Sequence, residues 1–191
     1  VLMAAEKGLT VDQARHQELM EQQRERARSA RKDAILKEEA DLVADLVAEG
    51  VKSVFTGYDT LEDESDVLVL LSDGQRAKEL SEGVTGEIVL TKTPFYAESG
   101  GQLGDKGVIR GPAGEFEVWD TQRPAEGLVL HIGKVTQGRI TSGERVAAIV
   151  GQDRRKRTAR HHTGTHLLQL ALREVVGPSI KQAGSMVAPE R

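Results

Sequence analysis

Between Val51 and Val150 the chain is written in short β-branched runs broken by glycine, and this pattern constrains the fold more than anything else in it. The runs are Ser53–Thr56, Asp66–Leu71, Gly86–Leu90, Gly107–Ile109, Glu115–Trp119, Gly127–His131 and Arg145–Val150. Short apolar runs with turn residues between them predict a small closed or nearly closed β structure. Aromatic residues make up only 3% of the chain, so the interior has to be filled by Val, Leu, Ile and Ala. The same shortage argues against a single-stranded nucleic-acid platform, which needs aromatic rings for stacking. The acidic stretch Leu61–Asp66 is expected in a solvated hairpin connection.

The flanks obey a different rule. Residues 1–50 contain no proline and only Gly8 and Gly50, and Thr10 to Gln13 has the form of a capping box opening a long helix. In its first half Leu19, Met20, Ala27, Ala30 and Ala34 form a narrow apolar stripe beside Arg24, Arg26, Arg28, Arg31 and Lys32. In its second half Ile35, Leu36, Leu42, Val43, Leu46 and Val47 recur at helical spacing and should pack against the chain beyond Gly50. Gly50 itself is the expected stop. On the other side, Arg154 to Gly177 reads as a basic approach leading into an amphipathic helix. Leu167, Leu168, Leu170, Ala171, Leu172, Val175 and Val176 supply its core, and Gly177-Pro178 ends it. A strand-like segment begins at Ser179. The expected class is therefore α+β: N-terminal long helices over 1–50, a small β-barrel over 51–152, and the first helix of an incomplete α+β domain over 153–191.

Several function classes drop out. A net charge of −4 argues against wholesale coating of a nucleic acid, although a local basic patch remains compatible with one. The chain has no cysteine, hence no disulfide framework and no thiolate ligand. No apolar run approaches the ~20 residues of a membrane span, and the first ten residues are too weakly apolar for a secretory signal, so the setting expected is cytoplasmic with no membrane contact.

Three motifs carry chemistry. His162 and His166 stand four apart in a predicted helix, which puts two imidazoles on one face as a divalent metal requires. Thr163, Gly164 and Thr165 lie between them, and none can act as the general base of a metalloprotease. The second motif, Thr91–Gly107, carries glycines at 100, 101, 104 and 107. Either these form tight turns of a barrel, or their amides receive an anion or a nucleic-acid backbone. The spacing fits neither a P-loop nor a dinucleotide fingerprint. The third is the basic run Arg154, Arg155, Lys156, Arg157 and Arg160, readable as a solvated surface or as phosphate contacts.

The segment Thr93–Gly107, followed by His162-Thr-Gly-Thr-His166-Leu-Leu and then by Gln182–Ser185, resembles the alanyl-tRNA synthetase family. It is also similar to free-standing alanyl-tRNA editing proteins and, more distantly, to the editing domain of threonyl-tRNA synthetase. Val1–Thr10 and the Arg-rich helix after it look like the tail of the tRNA-recognition region that precedes the barrel in the synthetase. The resemblance covers essentially the whole chain, as an internal slice of a longer protein. It implies that 153–191 starts an editing domain in which His162 and His166 bind zinc, together with a cysteine and a histidine from a downstream Cys-x-x-x-His segment. That segment is absent here. It further implies that Thr165, Gln182, Gly100, Gly101 and Gln102 line the editing pocket, and that the reaction is hydrolysis of seryl- or glycyl-tRNA(Ala). The implied partners are tRNA(Ala) and the remainder of the synthetase chain, while ATP and magnesium would belong to a ligation site upstream of Val1. Two histidines are fewer ligands than a tight zinc site has, so the chain alone is expected to bind zinc weakly or not at all and to be inactive in deacylation. The alternative is a non-catalytic tRNA-binding or interaction module that retains the scaffold.

Overall fold

A computed structural model describes residues 15, 17, 18, 20, 38–177, 179 and 185–190. The chain divides into two compact units, Val1–Leu42 and Val43–Arg191. Arg15, Gln17, Glu18 and Met20 are helical. The rest of the helix predicted between 1 and 37 lies outside the described residues. Residues 38–48 form helix α1, which ends as its glycine predicts: Gly50 has φ 77°, and the Val51 amide donates to the Leu46 carbonyl at 3.0 Å.

Ten strands come next: β1 (Val54–Phe55), β2 (Glu62–Ser72), β3 (Gln75–Ala77), β4 (Glu79–Ser81), β5 (Thr85–Leu90), β6 (Lys92–Thr93), β7 (Gly107–Arg110), β8 (Gly114–Ala125), β9 (Leu128–Thr141) and β10 (Arg145–Val150). Each of the seven β-branched runs falls in one of them. The order β10-β7-β8-β9-β5-β2, with β10 pairing back onto β2, closes six antiparallel strands into a barrel. Closure leaves these strands no free edge, which is how so small a sheet avoids exposing unpaired amides. Phe95, Phe116, Ile88, Leu90, Ile109 and Ile140 are fully buried at its centre. Gly133 permits a close crossing, because a Cβ there would stand 1.9 Å from the Glu117 carbonyl oxygen.

The acidic stretch is not a hairpin connection. Glu62–Asp66 forms the first half of β2 and pairs with β10 from Arg145↔Asp66 to Ile149↔Glu62. The reason is alternation: Glu62, Glu64 and Asp66 point to solvent while Ser65 and Val67 point inward. Asp63, half-buried between them, is met by Lys92 at 2.7 Å, and that hydrogen bond holds its carboxyl below the ordinary carboxylate value. Ser65 is satisfied by the Thr91 hydroxyl at 3.0 Å and by the Lys92 amide at 3.0 Å.

Helix α2 spans Gln152–Val175. Here the expectation of an apolar core along the helix is corrected. Thr158 is its one buried residue among those described, whereas Leu167, Leu168 and Leu170 are 62%, 60% and 56% exposed. The helix rests on the barrel only through its first turns, so its apolar C-terminal half projects without cover among the described residues.

Candidate functional site

The start of α2 is bolted to the glycine-rich segment. The Gly151 amide donates to the Lys106 carbonyl at 2.8 Å. One turn on, the Arg155 guanidinium donates to Asp105 Oδ2 from Nε at 2.8 Å and from a terminal nitrogen at 2.5 Å. Its terminal nitrogens also donate to the carbonyls of Gly57 at 2.8 Å and Pro94 at 2.7 Å. Asp105 receives the Tyr96 amide as well, at 2.8 Å, and its side chain is 4% exposed. A charge pair this dry is tolerable because each of the three guanidinium nitrogens finds an acceptor. Arg155, read in sequence as one of five phosphate-binding cations, thus has its guanidinium turned inward. Arg154 is partly covered and lies 3.9 Å from Glu190. Lys156, Arg157 and Arg160 are exposed, with no ion pair to a carboxylate among the described residues.

Further along α2, His162 and His166 approach through their Nε2 atoms, 2.9 Å apart, with ring centroids 4.7 Å apart. Two nitrogens each 2.0–2.1 Å from a tetrahedral zinc stand about 3.3 Å apart, so a small rotation of either ring would admit the ion. The His162 Nδ1 is buried and without a hydrogen-bond partner. The pair fits half of a metal site. The other half is not assembled among the described residues, where no group of three metal-ligating side chains occurs. His131 is committed elsewhere: its Nδ1–H donates to the Ile88 carbonyl at 2.8 Å, and the Thr93 hydroxyl donates to its Nε2 at 2.7 Å. Burial pushes its pKa down to about 4, outweighing the bond to Ile88, which acts to raise it. His161 is held as well, its Nδ1–H donating to the Ala188 carbonyl at 2.6 Å. His16 lies outside the described residues.

Thr165, expected in the editing pocket, donates its hydroxyl back to the His161 carbonyl at 2.9 Å, which leaves the oxygen's lone pairs to accept. Gln182 lies outside the described residues. Gly101 and Gln102 form a seat for a returning segment. The Val187 amide donates to the Gly101 carbonyl at 2.7 Å, and the Leu103 amide donates to the Val187 carbonyl at 3.1 Å. Gln102 is buried and bridges in parallel to Val187. Gly101 has φ 84°, and a Cβ there would lie 2.1 Å from the Ser185 carbonyl oxygen. Gly100, with φ 60°, meets nothing within 4 Å. Residues 185–188 therefore tie the two motifs together, touching Gly101 at one end and His161, beside the histidine pair, at the other. Asp105 is the positioning residue that sequence reasoning missed; its only signal was an acid set between Gly104 and Gly107.

A family model described as tRNA synthetases class II (A) matches residues 1–154. The chain is 49% identical over 191 residues to an alanine–tRNA ligase of Chloroflexus aurantiacus, which covers 99% of this chain and 21% of that protein. It is 45% identical over 193 residues to that of Thermus thermophilus, covering 100% of this chain and 22% of the relative. For the ligase of Desulforamulus reducens the identity is 47% over 190 residues, with 99% and 22% covered. The chain spans about a fifth of the length of these relatives.

Proposed function

The chain belongs to the alanyl-tRNA synthetase family, the tRNA synthetases class II (A), and from that membership we propose that it contributes tRNA binding and half of a zinc-dependent editing site that hydrolyses seryl- or glycyl-tRNA(Ala). The observation that carries the proposal is the convergence of His162 and His166 at 2.9 Å, on a helix anchored to the glycine-rich segment. An activation pocket for alanine cannot exclude glycine by size and rejects the extra hydroxyl of serine poorly, so a second, hydrolytic site is needed for accuracy.

In this reading His162 and His166 would hold zinc, which would supply Lewis acidity to the ester hydrolysis. Thr165, one residue from the pair, accepts a hydrogen bond from the serine hydroxyl through the lone pairs its back-bond leaves free. Arg154, Lys156, Arg157 and Arg160 position the acceptor arm through phosphates, while Arg155 holds the helix on the barrel. The apolar half of α2, exposed among the described residues, supports its place at the start of an editing domain over 153–191.

The test joins this chain to a downstream segment carrying a Cys-x-x-x-His motif and monitors release of serine from seryl-tRNA(Ala). Hydrolysis is expected from the joined protein, lost in His162→Ala and His166→Ala, and absent from this chain alone. Chelator-reversible hydrolysis by this chain alone at the rate of a full ligase would contradict the half-site. A non-catalytic tRNA module would show no hydrolysis in either form. For the RNA interface, alanine at Arg154, Lys156, Arg157 and Arg160 should flatten the slope of log affinity against log salt by roughly 1 for each phosphate that is no longer neutralised. An unchanged slope would remove these residues from the interface.

A further inference from the structure

Trp119 is the sole tryptophan of the chain, and the barrel holds it half open to solvent at 37% exposure. Its position results from a bulge. Pairing of β8 with β9 passes from Val118↔Gly133 to Asp120↔Ile132, leaving Trp119 with no cross-strand partner, and such a bulge re-aims the side chain of the extra residue. Trp119 borders a cleft of about 560 Å³ between the outer face of the barrel and the first turn of α2, a size usual for a small-ligand site.

The polar groups around the cleft are sorted by charge. Lys106 and Arg154 stand on its helix side, where Gly151 precedes α2 and leaves its N-terminus without a side-chain cap. Glu115 is neutralised by Arg110, at 3.0 and 2.8 Å. Glu117, exposed on the same strand face, has no ion pair among the described residues. An aromatic face, two cations and one free carboxylate form a set complementary to a nucleotide. The ring stacks a base, the cations take its phosphate, and the carboxylate accepts from an exocyclic amine.

We propose that this cleft receives one unpaired, amine-bearing nucleotide of the bound RNA, stacked on Trp119, with Glu117 reading the amine and Lys106 and Arg154 holding the phosphate. This rests on the tRNA-binding reading above and adds a stacking position that the scarcity of aromatic residues argued against. One well-placed ring replaces a platform.

The single tryptophan makes its own reporter. The chain is titrated with 5′-labelled tRNA(Ala), and RNA anisotropy and tryptophan emission are recorded together. Saturation should quench Trp119 emission, and Trp119→Ala should weaken binding by about 5- to 100-fold, with Trp119→Phe losing less. Cytidine oligonucleotides should compete better than uridine ones, and Glu117→Gln should erase that preference. If anisotropy rises while emission stays constant and Trp119→Ala binds within about twofold of the parent, the cleft is not the site and the tRNA reading stands. Absence of any anisotropy change with the parent chain overturns the tRNA reading, and this inference with it. Equal competition by the two oligonucleotides overturns the role of Glu117.

Discussion

Arg154 and Arg155 are neighbours in one basic run, yet the helix sends Arg155 inward to Asp105 and leaves Arg154 at the mouth of a cleft. A run of cations in sequence says nothing about which of them the fold will use for itself, because the partner is 50 residues away. His131 is a parallel case. Nothing in its run distinguishes it from a surface or metal-binding imidazole, but it is fully buried and neutral between Ile88 and Thr93. Its pKa, lowered from 6.5 to about 4, makes stability depend on pH with a definite sign. Between those values the unfolded chain binds a proton that the folded core refuses, so stability is complete above 6.5 and falls as pH drops towards 4. The shift corresponds to roughly 3 kcal/mol. Urea unfolding of the parent should therefore lose more stability than His131→Gln over that interval. Equal losses would show that the buried imidazole is not the titrating group.

At the scale of elements, periodicity predicted the existence of α2 and seven of the ten strands, and missed the short β3, β4 and β6. It found all seven runs because alternating burial and β-branching are local properties. It failed where the outcome depends on a partner. The acids of Glu62–Asp66 look like a loop until β10 pairs with them, and the leucines of α2 look like core although no described residue covers them. The glycine-rich segment offered turns or an anion site, and the structure gives Gly101 a third use, seating residues 185–188. A side chain at Gly101 meets both a positive φ and the Ser185 carbonyl. Gly101→Ala should then release the 185–188 segment while leaving the barrel folded. Hydrogen exchange should accelerate at Val187 and Leu103, whose amides bond across that seat, with little change in the strands. Unaltered protection at those two amides would mean that the segment is held by something else.

For the molecule as a whole, the barrel is a frame that brings one end of a helix to one glycine-rich loop. Family membership and the strand pattern were both readable in the sequence, because motifs and burial patterns are written locally. The coupling between motifs was not, since it runs through Asp105, Arg155 and residues 185–188, which are distant in sequence. The functional reading depends above all on His162 and His166 forming half of a zinc site, with these two the ligands brought together among the described residues. A zinc titration of the purified chain beside a His162→Ala/His166→Ala double variant, with bound metal measured after dialysis, addresses that directly. Weak zinc uptake is expected, removed by dialysis and lacking in the double variant. One zinc per chain retained through dialysis, or uptake unchanged in the double variant, would overturn the half-site.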